Sequence, residues 1–166
     1  VGENLQDHLQ LRPIYKVTGV PTLNEQYANV LRRPLMAADY ALNKRGPMTM
    51  APSQMGAFAK SDPSQPTPNL QFHVQPLSLD KFGEPLHKFP AITISVCNLR
   101  PDSRGSVHAR KPDPQAAPAI QPNYLSSGKD RDVAVASLRL VRKIVAEPAL
   151  AKFRPEELKP GAELQS

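Results

Sequence analysis

The chain has 166 residues, 40% hydrophobic and 22% charged, with one Cys and no Trp. That is a globular composition, and no apolar run approaches the ~20 residues that span a bilayer. A lone thiol, Cys97, excludes an internal disulfide framework and a multi-cysteine zinc site. The formal charge of +6 permits nucleic-acid binding. The basic residues are scattered, however (Lys44-Arg45, Arg110-Lys111, Arg142-Lys143), and do not alternate with aromatics, so solvated faces are expected and nucleic acid is not an expected partner. The length suggests one domain over residues 1–166. A start at Val1-Gly2 and an end just past Pro160-Gly161 predict a segment cut from a longer protein.

Residues 8–17 alternate well enough for a strand, which Pro13 places at an edge or a bulge. After a turn at Gly19–Thr22, Leu23 to Asn43 has helical apolar spacing. Thr22 is its expected N-cap, with Glu25 at capping-box distance. Pro34 is expected to split or kink it near Arg33, and Gly46-Pro47 to end it. A strand follows in the second half of 48–60, then a proline-rich loop over 61–69. Leu70 to Gln75 has the cleanest period of two in the chain. Residues 80–90 form a loop, and 91–99 a β-branched strand. Pro101–Gly105 has hairpin chemistry, which makes Ser106–Arg110 the returning strand. Lys111–Pro118 connects to a short extended piece at 119–125. A last helix runs from about Asp132 to Glu147, capped by Asp130 or Asp132, with Ala134, Leu138, Val141 and Val145 as its buried stripe. The sum is an α+β fold: a mostly antiparallel sheet of about five to six strands, with two long helices packed on one face.

The chemistry-bearing motifs are few. No glycine-rich phosphate loop, serine elbow or His-Glu-x-x-His occurs. The four histidines (His8, His73, His87 and His108) lack metal-ligand spacing, so no metal is expected. Asp7-His8 are neighbours in sequence and poorly placed to pair on a strand. On the 70–75 strand, Gln71, His73 and Gln75 share one face, and Leu70, Phe72 and Val74 the other. The polar face is either solvated or the wall of a hydrogen-bonding cavity.

Several stretches taken together resemble the glucose–methanol–choline (GMC) flavoprotein oxidoreductases. They are Val1–Leu9 (Val-Gly-Glu-Asn-Leu-Gln-Asp-His-Leu), Gly56-Ala57-Phe58, Pro68–His73, Ser103–Val107, Asp113-Pro114, Pro118–Leu125 and Arg139–Ile144. The nearest branch is the choline-dehydrogenase-like and long-chain alcohol dehydrogenases. The resemblance implies an FAD-dependent oxidation of an alcohol, with hydride passing to the flavin. It implies that this chain is the substrate-binding domain, partnered by an FAD domain of the same parent chain, with the catalytic base elsewhere. The isolated segment is then expected to be inactive and to retain no FAD. The implied location is cytoplasmic, with peripheral attachment at the inner membrane as the alternative. Choline-oxidising members carry a Glu where Gln54 stands, and a neutral Gln lacks attraction for a cation. A neutral alcohol is therefore expected, with Gln54, His73 and Gln75 as substrate-binding residues. An oxygen-using GMC oxidase, a truncated structural relative and a non-enzymatic basic binding module are the alternatives.

Overall fold

The structure, a computed structural model, describes residues 1–51 and 53–164. A five-stranded antiparallel sheet forms its centre, in the order β3 (Met55–Ala59), β4 (Leu70–Gln75), β5 (Ala91–Asn98), β2 (Ile14–Lys16), β8 (Glu156–Lys159). β5 is the middle strand, and Thr93 to Cys97 are buried along its whole length. A β-branched run suits such a doubly covered position. A second, three-stranded sheet joins β1 (Glu3–Leu5), β6 (Gly105–His108) and β7 (Ala119–Gln121).

The helix α3 (Gly128–Val145) covers one face of the large sheet. Val133, Val141 and Val145 pack there against Leu70, Phe72, Ile94, Val96 and Tyr15. The buried stripe is Val133, Ser137, Val141 and Val145, which corrects the expected one: Ala134 and Leu138 are only half-buried. The helix also begins four residues before the expected start, at Gly128, and Asp130 faces inward instead of capping it. Its carboxylate accepts the N–H groups of Asp102 (2.9 Å) and Ser103 (2.7 Å) and the amide of Asn98 (3.2 Å). Those bonds fix the first turn of the helix, where the stripe runs through Val133 and Ser137; Val141 and Val145 are buried as expected. The same bonds also explain why Pro101–Gly105 is not a hairpin: the turn is tied to α3, and β6 pairs with β1 and β7 instead of returning along β5.

Gly105 is required where β6 meets β7, because a Cβ there would run into the carbonyl oxygens of Gln121 and Pro122. β8, which the sequence pattern did not announce, is held beside β2 by a bidentate pair. Arg142 of α3 donates from Nε (2.9 Å) and Nη2 (2.8 Å) to Glu157.

The 23–43 segment is two helices, α1 (Leu23–Ala28) and α2 (Arg32–Asn43). The capping box of Thr22 and Glu25 is present. The break lies at Asn29–Leu31, not at Arg33, and Pro34 sits inside the first turn of α2, where a missing N–H breaks no bond. Lys44 in the left-handed conformation ends α2, before Gly46-Pro47 is reached. No residue of α2 is buried, so this helix does not share the sheet face with α3, and Leu31, Leu35 and Leu42 are exposed. The short helix α4 (Pro148–Ala151) leads from α3 to β8. Of the expected strand at 8–17, β2 and a single bridge from Leu11 to Val96 form.

Candidate substrate groove

The sheet face turned away from α3 is polar. Cross-strand register places Gly56, His73 and Ser95 in one row, and Thr93 opposite Gln75 in the next. Residues directly opposite one another share a face. The absent side chain at Gly56 leaves His73 open on that side. Leu11 joins the apolar core, so alternation sends its neighbours Gln10 and Arg12 to the polar face. There they meet Ser53, His73, Gln75 and Ser95 around an open groove of ≈ 230 Å³, edged by Phe82 from the 76–90 loop.

Two groups in this groove lack partners among the described residues. Gln75 is 7% exposed, and its Nε2 donates to Ser53 Oγ (3.2 Å), but its Oε1 accepts nothing. The Arg12 Nε and Nη2 donors are closed off and unbonded, and the guanidinium lies 4.3 Å from the Phe82 ring centre. Burial pushes the Arg12 pKa down from its ordinary value. Native interiors rarely leave such groups unsatisfied, so each calls for a partner outside the described residues.

Of the expected site residues, His73 and Gln75 come together in the groove. Gln54 does not line it: its side chain is exposed, and its backbone N–H donates to the Val74 carbonyl (3.0 Å). Ser53 is the member of that segment that reaches Gln75. Gln10, Arg12, Ser53 and Ser95 were missed, although alternation over 8–17 and over 91–99 carried the signal for three of them.

Two other arrangements could be mistaken for the site. Ser78 Oγ lies 2.9 Å from His87 Nδ1, and His87 Nε2 lies 3.3 Å from Asp80 Oδ2, a serine–histidine–aspartate relay. Ser78 is completely buried, however, and its hydroxyl also takes a bond from Asn24 Nδ2 (2.9 Å). Asn24 further bonds the Phe89 carbonyl (3.1 Å) and receives the Ser78 N–H (2.9 Å). The relay therefore clamps α1 to the 76–90 loop and offers no nucleophile. A more apolar cleft of ≈ 30 Å³ lies between α3, the 7–11 segment and the 122–125 loop. Its polar members satisfy one another: Asp130 takes three donors, and Asp7 takes the Tyr124 hydroxyl and the His8 backbone N–H. Asp7 thus does not orient the His8 ring. Among the described residues no cluster of His, Cys, Asp or Glu could hold a metal, and no helix is long and apolar enough to cross a membrane.

The family described as GMC oxidoreductase matches residues 101–166. An "Alcohol dehydrogenase [acceptor]" of Pseudomonas putida is 31% identical over the whole of this chain and 30% of its own length. This chain is a segment of the GMC oxidoreductase family. The "Choline dehydrogenase, mitochondrial" of Homo sapiens is 35% identical to the GMC segment, again over its full length and over 28% of the relative. The segment thus spans less than a third of the curated relatives it matches. Among solved structures, pyridoxine 4-oxidase from Mesorbium loti aligns with a TM-score of 0.70 at 25% identity, over 97% of the segment and 28% of that chain. A formate oxidase aligns more closely in shape, with a TM-score of 0.82 over 99% of the segment and 33% of that chain, at 16% identity, which supports the fold alone.

Proposed function

We propose that this chain is the substrate-binding domain of an FAD-dependent alcohol dehydrogenase that oxidises a primary alcohol to an aldehyde. One observation carries the reading: the helix-free face of the sheet holds a groove whose polar groups are left unsatisfied, in a chain similar throughout to alcohol and choline dehydrogenases. When bound, FAD supplies the acceptor for the hydride leaving the alcohol carbon. The groove suits the ring side of such a cofactor. Its neutral donors and acceptors, His73, Gln75 and Ser95, can face a flat polar heterocycle and an alcohol together. No described residues form a glycine-rich turn opening a helix, so the cofactor's phosphates are held by another part of the parent chain.

In this reading the sheet positions and the groove orients. Gln75, fixed by Ser53, turns a free acceptor toward the alcohol hydroxyl. His73, open above Gly56, gives a second hydrogen bond. Gln54, next to Ser53 but outside the groove, is uncharged and gives a trimethylammonium group no Coulombic attraction.

The test is the full flavoprotein expressed from its gene and assayed on a panel of primary alcohols with an artificial quinone acceptor and with oxygen. Turnover of neutral alcohols above choline is expected. His73→Ala should lower kcat/KM about 10-fold without abolishing turnover, and Gln54→Glu should shift the preference toward choline. Wild-type behaviour from both variants would show that the polar face is merely solvated.

A further inference from the structure

The groove holds two unsatisfied groups of opposite kind. Gln75 Oε1 is a neutral acceptor that wants a donor. Arg12 is a permanently charged donor whose Nε and Nη2 want an acceptor. Among the described residues, the Phe82 ring lies against the guanidinium, 4.3 Å from its carbon to the ring centre, which stabilises the cation but uses none of its N–H groups. The remaining walls (Gln10, Ser53, His73 and Ser95) bring no carboxylate. An anion entering here therefore meets an unpaired guanidinium, and no acidic wall residue repels it. Arg12 is half-buried, and a guanidinium with two shielded N–H groups and no carboxylate beside it is unusual, because such groups are ordinarily paired.

We propose that Arg12 is a specificity residue that binds a carboxylate on the alcohol substrate, while Gln75 accepts the hydrogen bond of its hydroxyl. The inference rests on the alcohol-oxidising reading above and narrows it to hydroxy acids and carboxylated benzylic alcohols. A ligand with an anionic acceptor at one end and a hydroxyl donor at the other satisfies both orphaned groups at once. A groove of ≈ 230 Å³, open to solvent on one side, has room for a small aromatic or aliphatic molecule of that kind. A guanidinium can hold a carboxylate through two parallel N–H bonds, a geometry that also fixes the direction in which the hydroxyl points. Choline, a cation, is repelled by the same residue.

The experiment uses the full flavoprotein. Benzoate, which has no oxidisable hydroxyl, is titrated by calorimetry. In parallel, kcat/KM is measured for 4-(hydroxymethyl)benzoate and benzyl alcohol with wild type, Arg12→Met and Arg12→Lys. Benzoate should bind wild type and bind Arg12→Met at least 30-fold more weakly. The preference for the carboxylated over the neutral alcohol should fall by a similar factor, mostly through KM, and Arg12→Lys should recover part of it. A preference ratio within threefold of wild type in a folded Arg12→Met would overturn the proposal, as would benzoate affinity independent of Arg12. If wild type oxidises neutral alcohols while benzoate does not bind, the anion site is refuted and the dehydrogenase reading stands. If benzoate binds through Arg12 while no alcohol is oxidised, the anion site stands and the dehydrogenase reading falls.

Discussion

Removing the Asp130 carboxylate should strip the anchor that fastens the 98–103 turn to the start of α3. The side chain is 4% exposed and accepts from Ser103 N–H (2.7 Å), Asp102 N–H (2.9 Å) and Asn98 Nδ2 (3.2 Å). A buried donor left without a partner costs about 1–3 kcal/mol. Ser103 is 7% exposed, so its N–H carries that full cost in Asp130→Ala. Asp102 and Asn98 lie nearer solvent and carry part of it. The sum is a loss of about 2–5 kcal/mol, a large share of the ~5–15 kcal/mol that holds a domain together. Asp130→Asn should cost less, because one oxygen still accepts.

The pH dependence has a definite sign. Burial alone would raise the Asp130 pKa, but the bonds from Ser103 and Asp102, helped by Lys129, outweigh it and hold the carboxyl below its ordinary value. A depressed folded pKa means that the stabilisation is complete above the unfolded value of about 4 and disappears as pH falls through the folded value. Urea unfolding of the 166-residue chain should therefore show a wide gap between wild type and Asp130→Ala at pH 7, closing below about pH 4. A gap under about 0.5 kcal/mol at pH 7, as expected of surface sites, would refute the anchor, and so would a gap unchanged down to pH 2.

Two further predictions concern packing. Val141→Ala removes a fully buried side chain and should cost about 2 kcal/mol, whereas Leu138→Ala, half-exposed beside the stripe, should cost less than about 1 kcal/mol. Chemical denaturation of the two variants ranks them, and the reverse order would mean that α3 is rotated. Gly105→Ala forces a Cβ onto the Gln121 and Pro122 carbonyls and should destabilise by more than about 2 kcal/mol. A thermal midpoint within 2 °C of wild type, roughly the scale of 0.5–1 kcal/mol for this size, would show that β7 can move aside.

The parts of the fold that were legible in the sequence are those decided locally. β4 and β5 alternate or carry β-branched runs because their own neighbours on the sheet demand it, and both form as expected. The Thr22–Glu25 capping box is a contact within one turn, and it is present. What failed was decided at a distance. Pro101–Gly105 has the residues of a hairpin, yet Asp130, almost thirty positions on, takes its N–H groups and redirects β6 to another sheet. In α3 the second half of the expected stripe, Val141 and Val145, is buried, but in the first half, where Asp130 turns inward, Val133 and Ser137 are buried in place of Ala134 and Leu138. β8 has four residues with no apolar alternation, and its place beside β2 depends on Arg142 reaching Glu157. At the groove, His73 and Gln75 were visible because they sit on one clean strand. Arg12 was not picked out, because the alternation over 8–17 shows which face it takes but not that this face lies beside β4 and β5 at the groove.

Two constellations in this chain show why residue identity alone does not locate a site. Ser78, His87 and Asp80 reproduce the order of a nucleophilic relay at hydrogen-bonding distance. Yet the Ser78 hydroxyl is sealed and shared with Asn24, so the network is complete within itself and its product is a fixed loop. The groove has no such recognisable set. Its distinguishing property is incompleteness: a buried amide oxygen without a donor and a guanidinium without an acceptor, on the one sheet face that α3 does not cover. A folded chain tolerates such groups at a cost in stability. The cost is recovered when a ligand supplies the missing partners, and the same groups then set which ligand binds. The relay stabilises whether or not a substrate is near. On the proposed reading the groove does so only when one arrives, which gives recognition to Arg12 and Gln75 and architecture to Ser78, His87 and Asp80.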